Sequence, residues 1–281
     1  MGNFDCEKEI NRFIAPYDRN CIDFLGVSIT EKKEEAIKFK LYNRAAAEKR
    51  QQHFLVEFLE SKEMIRHYED VEDTVNKGQI CFDITLKNRS DENIKELYNC
   101  MMTKAPFGNR EKTLVEQLAR IPVTSKNGYQ YAANSHIGWC EKNKKVDSIK
   151  FYFLTRWCEE NLDMPKNKGY MDEKYLLYLK NLNDPYFGTL ATKIERYLQR
   201  YDGNLWMFGL DLWEKKEKYK IYVKNTSNPY EGLCDILSEE VAMKLKNVEQ
   251  WHSKNHNWKF AGFALAYDSD NEESCNLYFT E

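Results

Sequence analysis

Four short segments of the chain alternate polar and apolar positions in the same way: Lys38-Phe39-Lys40-Leu41-Tyr42, Ser148-Ile149-Lys150-Phe151-Tyr152, Lys218-Tyr219-Lys220-Ile221-Tyr222 and Ser274-Cys275-Asn276-Leu277-Tyr278. A β-strand alternates its faces with period two. Each segment therefore puts Lys or Asn on one face with a Tyr two residues later. The opposite faces are apolar, as in Phe39 and Leu41, Phe151 and Phe153, Ile221 and Val223, or Leu277 and Phe279.

A second, glycine-containing strand precedes each tyrosine. These are Phe24–Ile29 around Gly26, His136–Cys140 around Gly138, Met207–Leu212 around Gly209 and Phe260–Leu265 around Gly262. The glycines precede their tyrosines by 16, 14, 13 and 16 residues. That separation predicts four β-hairpins built to one plan. Successive tyrosines are 110, 70 and 56 residues apart, and the first gap is close to twice the last. A fifth, degenerate unit is expected there. Gln79–Lys87 alternates without a break and puts Cys81, Asp83 and Thr85 on its polar face. Its partner is Met64–Glu69 upstream or Ile94–Tyr98 downstream; upstream is favoured, because Ser90-Asp91-Glu92 reads as a helix start.

Helical patterns separate the hairpins: Arg44–Leu59, then Tyr175, Leu176 and Leu179, then Leu190, Ile194, Tyr197 and Leu198, and Val241, Leu245 and Val248 behind a Ser238 cap. Amphipathic helices need an apolar surface, and the strands supply one. The expected assembly is α+β: a ten-stranded antiparallel sheet with helices on its apolar side. Near-equal repeats favour closure into a barrel with a polar lumen, over an open sheet with one wet face.

Composition is that of a globular chain: 281 residues, 42% hydrophobic, 31% charged, net charge −3. No linker or low-complexity tract divides it, so residues 1–281 are expected to form one domain. No apolar run approaches the roughly 20 residues of a spanning helix, and no secretory signal is evident. A cytoplasmic monomer with no membrane or nucleic-acid partner is the expectation. The eight cysteines contain no C-x-x-C pair and are expected to be reduced thiols.

Lysines at 38, 40, 150, 218 and 220 converging on one lumen would repel one another unless a polyanion neutralised them. A diphosphate fits, with tyrosine hydroxyls and Asn276 as neutral donors. The negative face of a tyrosine ring also stabilises a carbocation. The acidic run Glu69–Asp73 reads as a solvated loop, as do Asp268, Asp270, Glu272 and Glu273 on the last turn. His252 and His256 lack a third zinc ligand nearby in sequence. There is no P-loop, G-x-G-x-x-G, G-x-S-x-G, H-E-x-x-H or D-D-x-x-D motif.

With these residues in place the chain resembles the ABBA aromatic prenyltransferases, whose fold of αββα repeats is called the PT barrel. The resemblance covers residues 20–281. It rests on the K-x-Y strands, above all Lys218-x-Lys220-x-Tyr222 and Ser148-x-Lys150-x-Tyr152. It implies five αββα repeats in a ten-stranded barrel with helices outside. By resemblance, Lys38, Lys40, Lys150, Lys218, Lys220 and Asn276 hold an allylic diphosphate, and Tyr42, Tyr152, Tyr222 and Tyr278 shield the allyl cation. Strand parity adds Phe24, Met207, Trp213, Trp258 and Phe260 as a pocket for prenyl chain and acceptor. The proton acceptor would be Asp211 or Asp83, which face inward, or Asp23, which alternation turns outward unless a bulge intervenes. The second unit departs from the pattern, with Cys81 and Asp83 where Lys and Tyr are expected. The chain stops three residues past Tyr278. That shortness resembles the cyanobactin-type enzymes, which implies transfer of a dimethylallyl group to a side chain of a ribosomal peptide, with Mg2+ accompanying the diphosphate. A small-molecule aromatic acceptor is the alternative. A non-catalytic protein binding an anionic or isoprenoid ligand is the third reading.

Overall fold

The computed structural model describes residues 24–31, 37–43, 54–73, 79–104, 109–119, 134–142, 145–154, 168–182, 184–213, 216–224, 226–227 and 229–280, with short pieces in 8–15 and 123–131. Among these residues, ten strands close into one antiparallel barrel. In chain order the strands are β1 (Phe24–Thr30), β2 (Ile37–Asn43), β3 (Ile65–Asp73), β4 (Gln79–Leu86), a separate two-stranded pair β5 (Val123–Thr124) and β6 (Gln130–Tyr131), then β7 (Asn134–Lys142), β8 (Lys145–Leu154), β9 (Asn204–Trp213), β10 (Glu217–Lys224), β11 (Lys259–Asp268) and β12 (Glu273–Thr280). The barrel strands pair as five hairpins, and β1 closes the ring by bonding to both β2 and β12. The degenerate unit is β3–β4, with the upstream partner favoured by the sequence. Glu69–Asp73 is therefore strand rather than loop. Its residues pair with β4 and β2.

Helices occupy every connection between hairpins: α1 (Phe54–Ser61), α2 (Asp91–Lys104), α3 (Asn109–Ala119), α4 (Lys168–Asn181), α5 (Pro185–Leu198), α6 (Pro229–Cys234) and α7 (Glu239–Lys254). Ser90 Oγ accepts from the Asn93 amide, as its position before α2 predicts. Asp184 caps α5 by accepting from the Tyr186 and Phe187 amides at 3.0 Å each. At α7 the predicted Ser238 side-chain cap does not form. The carboxylate of Glu273 instead accepts the Ser238 backbone amide at 2.6 Å. Of the first predicted helix only its end, α1, falls on described residues.

The core lies between the outer face of the barrel and the helices. Phe187 of α5 meets Phe208 and Tyr219 edge-on, Tyr197 meets Phe263, Trp251 of α7 meets Phe279, Tyr98 of α2 meets Phe151, and Phe54 of α1 meets Trp139. Edge-to-face pairs suit the ring quadrupole and add to the area they bury. The apolar outer face is thus covered by helices, and the polar strand face is left to line the lumen. Among the described residues no helix is long and apolar enough to cross a membrane.

Candidate active site

The hairpin register brings three of the predicted tyrosines together at one level of the lumen. Tyr222 sits between Tyr152, with ring centroids 6.2 Å apart and planes at 63°, and Tyr278, at 6.0 Å and 28°. All three rings are buried, at 7%, 3% and 9% exposure. Trp206 stands edge-on to Tyr222 at 6.3 Å, and the Lys224 ammonium lies 5.3 Å from its ring centre. His136 meets Tyr152 edge-on at 6.2 Å. These rings enclose a cavity of about 130 Å³, completed by Phe24, Met207 and Asp83. Burial, reinforced by the positive charge of Arg89, lowers the His136 pKa to about 4, so its imidazole is neutral at pH 7. Burial drives the Tyr278 hydroxyl far above its usual value, so it stays a neutral donor.

Charged groups sit among and below the rings. Lys150, Lys220, Asp83 and Asp211 are all buried. The Lys220 ammonium is hydrogen-bonded to the Asp211 carboxylate across the β9–β10 hairpin. Burial lowers the Lys220 pKa, the Asp211 charge opposes that, and Lys150 and Asp83 act on the same ammonium. Asp211 is the cross-strand neighbour of both Lys150 and Lys218. Asp83 faces Lys150 across Gly138: a Cβ on that glycine would collide with the Asp83 carboxylate and lie 3.0 Å from Lys150 Cβ. Gly138 thus makes room for an acid and a base side by side. Lumen-facing Ser28, Ser148, Ser274 and Asn276 are buried too, adding neutral polar groups to the wall.

Neither a protein-family model nor a curated protein sequence matches this chain. Solved structures do. NotF prenyltransferase superposes with a TM-score of 0.59 at 8% identity, over 92% of this chain and 80% of NotF. A complex of NotF with brevianamide F and DMSPP gives 0.57 at 8%, over 93% and 80%. AnaPT from Neosartorya fischeri gives 0.57 at 11%, over 92% and 77%. The chain has the aromatic prenyltransferase fold. In that PT barrel the tyrosine level and the charged level share one lumen.

The barrel brings together most of the residues singled out from sequence. Tyr152, Tyr222, Tyr278, Phe24, Met207 and Asp83 line the cavity, with Lys150, Lys220, Asn276 and Asp211 buried nearby. Lys218 and Trp213 are half-buried beyond Asp211, toward the far end of β9 and β10. Lys38, Lys40 and Tyr42 occupy lumen-side register positions on β2, opposite Ser28, Gly26 and Phe24; their side chains, like the whole of Asp23, lie outside the described residues.

Five expectations are corrected. Trp258 and Phe260 do not reach the lumen. A register shift between Phe260 and Gly262 turns Ala261 inward and leaves Phe260 edge-on to Phe279 and tilted against Tyr230, in the layer beneath α7. Trp258 belongs to the same outer core. Lys220 does not await an outside anion to balance it, since Asp211 pairs with it within the protein. Cys81 and Cys140 are not separate thiols. They are cross-strand partners on β4 and β7 with Cα atoms 4.2 Å apart, joined as a disulfide. Asp268 and Glu273 are not solvated turn residues: Asp268 binds Lys216 at 2.6 Å, and buried Glu273 binds Lys193 and accepts from the Tyr267 hydroxyl at 2.9 Å. The acidic run of β3 is the fifth, already described.

Two cavity residues were missed. His136 shares a strand face with Gly138, so period two alone places it inward. Trp206 required the tertiary structure, because a register shift at Tyr222/Val223 puts two consecutive residues, Trp206 and Met207, on the lumen side.

Proposed function

We propose that this chain transfers a dimethylallyl group from its diphosphate to an electron-rich aromatic side chain of a ribosomal peptide. The cluster of three buried tyrosines beside the buried lysines carries this reading. A cavity of about 130 Å³ suits a five-carbon chain, since a protein cavity of about 150 Å³ holds benzene. Lys150 and Lys220 would hold the diphosphate, with Asn276, Lys218, Lys38 and Lys40 as further donors. The allylic C–O bond breaks with its electron pair leaving on diphosphate. The faces of Tyr152, Tyr222 and Tyr278 stabilise the resulting cation and keep water from it. An aromatic carbon of the acceptor forms the new C–C bond, and its proton passes to a base. Asp83 is the candidate, because it lines the cavity with the rings. Tyr42 would complete the shield.

Among the described residues no three His, Cys, Asp or Glu side chains converge as metal ligands. Mg2+ would accompany the diphosphate as its counter-ion. The deciding experiment incubates the chain with dimethylallyl or geranyl diphosphate and a panel of peptides and free aromatic amino acids, read by mass. A gain of one five-carbon unit on a peptide is expected. Transfer only to small aromatics would replace the peptide acceptor. Diphosphate binding with no transfer would leave a lumen-binding protein.

A further inference from the structure

The lumen holds carboxylates as well as ammoniums, and the two are interleaved. Asp211 is bonded to Lys220 and lies across from Lys150 and Lys218. Asp83 and Lys150 share the space above Gly138. On β3, Glu69 and Asp73 take register positions opposite Asp83 and Lys40, on the strand face that carries Asp83. Among the described side chains, buried Lys150 and Lys220 thus stand with buried Asp83 and Asp211. The described titratable groups on this face also include Tyr152, Tyr222, Tyr278, His136 and, beside Trp206, Lys224; on β11, Ala264 and Ala266 stand opposite Tyr222 and Lys220, and buried Asp268, paired with Lys216, stands opposite Lys218. The described buried set of Lys150, Lys220, Asp83 and Asp211 is charge-balanced, two ammoniums to two carboxylates.

A polyanion entering such a site meets buried carboxylates at the distance of its own lysine partners. A diphosphate that binds Lys220 competes with Asp211 for its ammonium. A buried carboxylate that loses its counter-ion and gains a neighbouring anion favours its protonated form. The geometry points to proton-linked capture: Asp211 gives up Lys220 to the diphosphate and takes a proton from solvent as it does so. The balance is one ion pair exchanged and one proton bound, with no covalent change. Asp211 then serves as an acid-form neighbour of the leaving group, while Asp83 keeps the role of base. This inference rests on the allylic-diphosphate reading above.

Calorimetry with an unreactive thiolo analogue of dimethylallyl diphosphate tests it. At pH 7.5 the analogue's phosphates are almost fully ionised, so proton uptake belongs to the protein. Titrations in two buffers of different ionisation heat are expected to show about one proton taken up per analogue bound. The Kd is expected to rise about tenfold per pH unit above neutrality. Asp211→Asn should remove most of that uptake and bind the analogue more tightly than the parent at pH 8. Binding by the parent chain with no net proton uptake overturns the inference, as does weaker binding by a folded Asp211→Asn chain. If neither chain binds the analogue, the allylic-diphosphate reading itself falls and takes this inference with it.

Discussion

At the scale of single residues, the Lys220–Asp211 pair dominates, because both partners are buried and each is the other's counter-ion. Removing one partner of a buried pair leaves a charge without compensation, at about 3–5 kcal/mol. Lys220→Ala is expected to abolish transfer and to lower the unfolding free energy by roughly that amount, measured by urea denaturation. The double change Lys220→Met with Asp211→Leu should recover most of the stability and none of the diphosphate binding. Recovery of neither would mean that the pair is not what holds this part of the lumen. His136 gives a pH prediction. Its folded-state pKa, about 4, lies below its ordinary value of 6.5, so the unfolded chain binds more protons between those values. Stability should fall as the pH drops from 6.5 toward 4, and His136→Gln should flatten that window in a thermal-melt series.

At the scale of elements, the hairpins carry the site and their glycines set how near the rings can come. A Cβ on Gly209 would stand 3.3 Å from the Tyr152 ring and 3.4 Å from that of Tyr222. Gly209→Ala is expected to keep the fold, cost about 1–3 kcal/mol through overpacking and slow transfer by crowding the cation's place. Gly188 in α5 meets nothing within 4 Å. Gly188→Ala should therefore stabilise the helix by about 0.5–1 kcal/mol and leave transfer unchanged. Melting curves and initial rates on the two variants separate these outcomes. At this scale the sequence was most legible. Strict alternation in β8, β10 and β12 announced both faces, and the glycine-to-tyrosine spacing announced the hairpins. It was least legible at the register shifts near Trp206 and Ala261, where one added residue reverses every later side chain. Parity counted across such a point assigned Phe260 to the wrong face.

At the scale of the molecule, closure decides what the polar faces do. An open sheet would leave β1 with one bonded edge, whereas here β1 lies between β2 and β12. Hydrogen exchange should therefore find the amides of Leu25–Ile29 protected to the level of central strands such as β9 and β10. Fast exchange at alternate β1 amides would show that the ring is open along that seam. Closure also turns one strand face into an enclosed lumen, and so brings Asp83, Lys150, Asp211 and Lys220 from four different strands together.

The sequence by itself determined the strands, their two faces, the hairpin plan and the helix-covered exterior. Those follow from local periodicity, which any segment carries without reference to the rest of the chain. It also marked the tyrosines and lysines as a set, because they recur at fixed places in a repeat. Only the tertiary structure decided which acids neutralise which lysines, which rings line the cavity and that Cys81 meets Cys140. Those are contacts between residues far apart along the chain. They depend on barrel register, which strand pairing and several register shifts set and no alternation rule foretells.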